Sequence, residues 1–92
     1  MLKIEFTGQF KKDYKIALKR GCDPKDMMNV VSLLAEQKIL PAKYNDHPLA
    51  DSKKYSGMRE CHIKPDWLLV YKVYADRLVL ELIRTGTHSD LF

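Results

Sequence analysis

The run Trp67-Leu68-Leu69-Val70-Tyr71-Lys72-Val73-Tyr74 constrains the fold more than any other part of the chain. It is nearly continuous in apolar, aromatic and β-branched residues, so it reads as a central strand with a neighbour on each side. The flanks supply both neighbours. Met58 to Ile63 precedes it, with Lys64-Pro65-Asp66 as the turn. Arg77 to Arg84 follows it across Ala75-Asp76. A three-strand antiparallel meander is therefore expected in the C-terminal half.

The N-terminal half has other periods. Leu2 to Phe6 alternates apolar and charged residues, the pattern of a short half-buried strand. From Gly8 to Lys19 the apolar Phe10, Tyr14, Ala17 and Leu18 share one helical face, and Lys11, Lys12, Lys15 and Lys19 lie largely off it. Thr7 is placed to cap this helix and Gly21 to stop it. Asp23-Pro24 reads as a second cap, followed by a helix to about Gln37 with Met27, Val30, Val31 and Leu34 as its stripe. Leu40 to Ser56, with Pro41, Asn45, Asp46, Pro48, Asp51 and Ser52, reads as a long loop of the kind that often carries function. The expected architecture is α+β: an N-terminal strand, then a helical hairpin on a mostly antiparallel sheet completed by the meander.

At 92 residues there is room for one domain spanning residues 1–92. With 46% hydrophobic residues the chain has the apolar surface a folded core needs. Sixteen Lys and Arg against twelve Asp and Glu give a net charge of +4, compatible with a polyanionic partner and weak as a sole argument. Cys22 and Cys61 form no CxxC pair and are too few for a thiolate metal site, so free thiols, no metal and no cofactor are expected. The first residues lack a signal-peptide core and no run reaches membrane-spanning length. The expectation is a cytoplasmic protein with no membrane contact.

Ladder geometry gathers chemistry at one end of the meander. With a two-residue turn at Ala75-Asp76, Tyr74 opposes Arg77 and Trp67 opposes Arg84. The turn at 64–66 brings His62 near Trp67. His62, Trp67 and Arg84 are then expected in a row on one face, with Asp66 and His88 beside it; a one-residue slip in either turn would break the shared face. Such a set suits RNA cleavage by the neighbouring 2′-hydroxyl. Histidine acts as acid or base near neutral pH. Arginine offers a fixed cationic fork to phosphate oxygens. Tryptophan can stack on an unpaired base. Each residue also has a structural reading: His62 as a packed strand residue, Asp66 as a turn former, Trp67 as core, Arg84 as a strand-end charge. His47 and His88 could be solvated loop side chains, and Lys11, Lys15 and Lys19 a solvated helix face.

Three longer strings add a resemblance. Asp46-His47-Pro48-Leu49, the run from Tyr55 through His62-Ile63-Lys64-Pro65-Asp66-Trp67 to Tyr71, and Arg84-Thr85-Gly86-Thr87-His88-Ser89-Asp90-Leu91-Phe92 together resemble the YafQ toxins of the RelE/ParE toxin superfamily. The likeness covers nearly the whole chain. It implies a type II toxin: a ribosome-dependent, metal-independent endoribonuclease. Such enzymes cut messenger RNA in the ribosomal A site by 2′-hydroxyl attack and so inhibit translation. By position it implies His47, His62, Asp66 and His88 as acid/base residues and Arg84 as the stabiliser of transition-state charge. Trp67 and Phe92 match residues that shape the site or hold RNA. It also implies a neutralising antitoxin that binds operator DNA, so that the toxin meets DNA only through that complex. The basic face of Lys11, Lys15 and Lys19 suits either ribosomal RNA or an acidic antitoxin. The alternatives are a ParE-like inhibitor of DNA gyrase and a catalytically idle homologue that only binds an antitoxin.

Overall fold

A computed structural model describes residues 1–49 and 53–92. Asp51 and Ser52 of the expected loop lie outside the described residues. The elements are β1 (Lys3–Phe6), α1 (Gly8–Lys19), α2 (Pro24–Ala35), a single 3-10 turn (Ala42–Tyr44), β2 (His47–Pro48), β3 (Arg59–Lys64), β4 (Trp67–Tyr74), β5 (Val79–Gly86) and α3 (His88–Leu91). This is the expected α+β order. The loop carries two small elements, and the tail, read as irregular, closes in a short helix.

The strands form one five-stranded sheet in the order β1-β5-β4-β3-β2. β1 runs parallel to β5 at one edge and every other pairing is antiparallel. β4 is central, as its composition requires, and Trp67 to Tyr71 are all buried. Its two faces meet different cores. Trp67, Leu69 and Tyr71 pack with the α1–α2 hairpin, against Phe10, Ala17, Met27, Val30, Val31 and Leu34. Leu68 and Val70 pack on the other face with Tyr55 and Leu91, so the 53–58 segment and α3 cover that side.

Local chemistry fixes the helix ends. Thr7 Oγ1 accepts from the Phe10 N–H at 2.9 Å and donates to the Ile83 carbonyl at 2.6 Å, tying the start of α1 to β5. Asp23 accepts from the Lys25 N–H at 2.9 Å, with Pro24 in the first turn of α2. Gly21 takes φ +91° just past α1, the left-handed conformation that ends a helix without a Cβ penalty.

The β4–β5 register corrects the sequence expectation. Tyr74 opposes Val79, not Arg77, because the connection runs from Ala75 to Leu78 and Leu78 takes φ +52°. A further irregularity at Ile83 falls between the pairs Val70–Arg84 and Tyr71–Leu82. Arg84 therefore opposes Val70, three positions along β4 from Trp67. An odd shift reverses the face, so Trp67 and Arg84 point to opposite sides of the sheet. On the other ladder His62 opposes Leu68, and a bulge between His62 and Lys64 puts Lys64 against Trp67. The row of His62, Trp67 and Arg84 is not formed.

Candidate active site

A different row replaces it. His47 opposes Glu60, Glu60 opposes Val70 and Val70 opposes Arg84, one residue from each of four adjacent strands. Directly opposed residues share a face, so His47, Glu60 and Arg84 lie on the side away from the helical hairpin. His62, Leu68 and Gly86 form the next row on that face.

Glu60 is the centre of the histidine half. Its Oε1 lies 3.5 Å from His47 Nε2 and 3.4 Å from His62 Nε2, and the two rings are 6.3 Å apart. The Glu60 side chain is only 5% exposed and its Oε2 is buried without a hydrogen-bond partner. An unpaired buried carboxylate oxygen is costly to the fold. His47 Nδ1 lies 2.7 Å from the Asn45 carbonyl, which only accepts, so Nδ1 carries a proton. Nε2 is the nitrogen that faces Glu60.

The segment carrying His47 is anchored from behind. Asp46 accepts from Arg59 Nε at 3.3 Å and Nη2 at 3.2 Å, and from the Tyr71 hydroxyl. Burial pushes the Tyr71 hydroxyl pKa up, and the Asp46 carboxylate adds to the shift, so it remains a donor.

Arg84 is held from the side of α1. Its Nε donates to Asp13 Oδ2 at 2.8 Å and its Nη2 to Asp13 Oδ1 at 3.2 Å. Asp13 also accepts from the Thr85 N–H at 3.2 Å and from Gln9 at 3.0 Å. Burial raises the Asp13 pKa, but the bonds from Arg84, Gln9 and Thr85 outweigh it and leave the carboxyl below its usual range. Tyr55 is a further hydrogen-bonding neighbour that helps keep Arg84 charged.

The tail forms the remaining side. Thr87 caps α3 in a reciprocal box with Asp90, and Arg20 clasps Asp90 at 2.6 Å. The Tyr55 hydroxyl donates to the Leu91 carbonyl at 3.1 Å. The exposed His88 ring packs against Phe92 at 4.9 Å, and Phe92 meets the edge of Tyr55 at 5.3 Å.

The sequence candidates therefore divide. His47 and His62 come together. His88 and Phe92 pair on the tail, across the strip of Tyr55, Leu68, Val70 and Leu91. Asp66 is exposed in the β3–β4 turn, and no described contact joins it to a histidine. Trp67 is 3% exposed on the hairpin side, so it supports the site instead of offering its face to a base. Its indole N–H donates to Thr85 Oγ1 at 2.8 Å, and Thr85 donates to the Leu68 carbonyl at 2.7 Å. Lys11, Lys15 and Lys19 are exposed along α1, and none has a carboxylate partner among the described residues.

Sequence reasoning missed Glu60, Asp13 and Tyr55. Glu60 stands two residues before His62, on the same face of a strand. Asp13 falls between Phe10 and Ala17 on the buried stripe of a lysine-rich helix, where a carboxylate needs a cation. Both signals were present. Both cysteines are free, and burial pushes the Cys61 thiol up to about 12, so it stays protonated and inert. Among the described residues, no set of three His, Cys, Asp or Glu is placed to hold a metal ion, and no helix is long and apolar enough to cross a membrane.

The family model described as a bacterial toxin of type II toxin-antitoxin system, YafQ, matches residues 2–92. The chain belongs to the YafQ toxin family. A protein named mRNA interferase toxin YafQ, from Escherichia coli (strain B / BL21-DE3), is 48% identical over 90 residues, covering 97% of this chain and 94% of that relative. A metal-bound toxin from Helicobacter pylori superposes with a TM-score of 0.92 at 47% identity, covering all of both chains. YafQ in an E. coli DinJ-YafQ complex superposes with a TM-score of 0.87 at 43% identity, covering 100% of this chain and 99% of that one. The YafQ structures share the α+β architecture described above.

Proposed function

We propose that this YafQ-family toxin is an endoribonuclease that cuts messenger RNA in the ribosomal A site and thereby stops translation. The observation that carries the reading is the row from His47 and Glu60 to Arg84, with His62 beside it and His88 across the same face. An acid, a base and a fixed cation are what the reaction needs. A base takes the proton of the 2′-hydroxyl, O2′ bonds to phosphorus, and the bond from phosphorus to O5′ breaks. An acid then protonates O5′. The products are a cyclic phosphate and a 5′-hydroxyl. Arg84 stabilises charge on the phosphoryl oxygens. His47, His62, Asp66 and His88 are the acid/base set, and Phe92 contacts the RNA. Because side chains supply every proton and charge in this scheme, we propose that it runs without a metal.

The partner is an antitoxin protein, which carries the toxin to operator DNA and leaves it no DNA contact of its own. We place it on the apolar groove lined by Ile4, Phe6, Phe10 and Met28 and rimmed by Lys11 and Lys15. Phe6 and Met28 are 52% and 54% exposed, and the lysines are unpaired among the described residues. An acidic amphipathic segment meets both features. The toxin acts in the cytoplasm, where its ribosomal target is.

The test is a translating extract with message ends mapped by primer extension. Codon-phased cuts that vanish in His88→Ala and Arg84→Ala support the reading. Arrest with intact messages and altered DNA supercoiling would overturn it in favour of gyrase inhibition.

A further inference from the structure

A second cavity adjoins the histidine cluster on its outer side. Among the described residues β2 pairs only with Arg59 and Glu60, and the outer edge of β3 from Cys61 to Lys64 has no strand partner. Along that edge, between α2 and the 3-10 turn, lies a cleft of about 530 Å³. Its walls include Asn29, Lys43, Tyr44, Asn45, His62 and Lys64. This volume is within the roughly 300–1,000 Å³ typical of small-ligand sites.

We propose that this cleft is a nucleotide subsite, holding one unstacked base and the adjoining phosphate of the RNA next to the scissile bond. The inference rests on the endoribonuclease reading and adds to it where the flanking nucleotide binds. The lining has the chemistry a nucleotide requires. Asn29 and Asn45 are exposed, and their side-chain amides make no hydrogen bond among the described residues. An amide pairs its donor and acceptor with a base edge. Half-buried Tyr44 offers part of an aromatic ring, on which bases stack without regard to sequence. Lys43 is exposed with no carboxylate partner among the described residues, its ammonium 5.1 Å from the Tyr44 ring centroid, ready for a phosphate. Lys64 pairs at 3.6 Å with Asp26, also a wall residue, so those two charges offset and Lys43 is the cation left for the phosphate.

Position argues more strongly than composition. His62 belongs both to the cleft wall and to the Glu60 cluster. Asn45 also belongs to both: it lines the cleft and its carbonyl holds His47 Nδ1. It manages this from a left-handed backbone, φ +46° and ψ +50°, which asparagine tolerates better than most residues. A strand of RNA with its scissile phosphate at the histidines therefore runs its next nucleotide into the cleft. Two residues report directly whether that nucleotide is there.

The experiment uses the full chain and a 2′-O-methyl tetraribonucleotide, which cannot be cut. Its addition is expected to shift the Asn29 and Asn45 side-chain amide signals in NMR spectra. An Asn29→Ala/Lys43→Ala variant, with both changes on exposed side chains, is expected to weaken binding about tenfold. In a translating extract the same variant is expected to keep cutting but with an altered nucleotide preference beside the cut. Unmoved Asn29 and Asn45 signals at saturation, or an unchanged cut map, would overturn the subsite even if the wild type cuts RNA. Shifted signals in a wild type that cuts nothing would keep the subsite and remove the nuclease reading.

Discussion

Asp13 grips Arg84 through both Nε and Nη2, at 2.8 and 3.2 Å, from a position on α1 that is 71 residues away in sequence. Two parallel bonds fix the plane of the guanidinium as well as its place. If Arg84 stabilises the transition state, Asp13 sets where that charge stands. Asp13→Asn is expected to lower the cleavage rate by about 10²-fold, the cost typical of a misplaced catalytic group. Arg84→Lys is expected to fail similarly, because an ammonium keeps the charge and loses the fork. Single-turnover cleavage of a programmed ribosome measures both. A wild-type rate for Asp13→Asn would remove Asp13 from the site.

Glu60 lies between two imidazoles with one buried oxygen unpartnered. Replacing it with Gln keeps the shape and removes the charge. Folding stability, read by urea unfolding, is expected to hold or rise, since a neutral amide is less costly to bury than a carboxylate. Cleavage is expected to fall, towards the roughly 10²–10⁴-fold losses of acid/base variants such as His62→Ala. Equal losses of stability and activity would instead make Glu60 a structural residue.

The fold and the site were legible to different depths. Hydrophobic period alone gave α1, the meander and the centrality of β4, because burial on one or both faces imposes those patterns. The register was not legible. It depended on a four-residue connection ending in Leu78 at positive φ and on irregularities at Ile83 and Ile63, none of which has a composition signal. Arg84 therefore meets Val70 and not Trp67. The partners of buried charges were hidden for a related reason: Asp13 meets Arg84 only once β5 lies beside α1. Family motifs named candidate residues, but the contacts that hold them are visible only in three dimensions.

Acid sensitivity follows from the clasp on the tail. The Arg20 guanidinium, with the Thr87 N–H, holds the Asp90 carboxyl down at about 2. In the unfolded chain an aspartate titrates near ~3.9. The folded state therefore binds the proton less readily. Its advantage is complete above about pH 4 and disappears as the pH falls through about 2. Asp13, also lowered, acts with the same sign. Both Asp90 and Arg20 are partly exposed, so the effect is small. Asp90→Asn is expected to be less stable than the wild type at pH 6, with the gap closing as the pH falls through about 2. A stability gap independent of pH would show that the clasp does not act through charge.

Gly86 is where β5 hands over to α3, and the room there is already filled. A Cβ on it would lie 2.9 Å from Asp90 Oδ2 and 3.0 Å from Asp90 Cβ, and its φ of +155° is rarely adopted by other residues. The capping box that holds Asp90 leaves that side chain little freedom to retreat. Gly86→Ala must therefore displace α3, and with it His88 and Phe92. The expected cost is more than about 1 kcal/mol of stability, with cleavage reduced beyond what the unfolded fraction explains. Asp90→Ala removes Oδ2 and Cγ and leaves the Cβ contact at 3.0 Å. If the clash with the carboxylate is the cause, Gly86→Ala costs less stability in an Asp90→Ala background than in the wild type. If backbone strain alone is the cause, it costs the same in both.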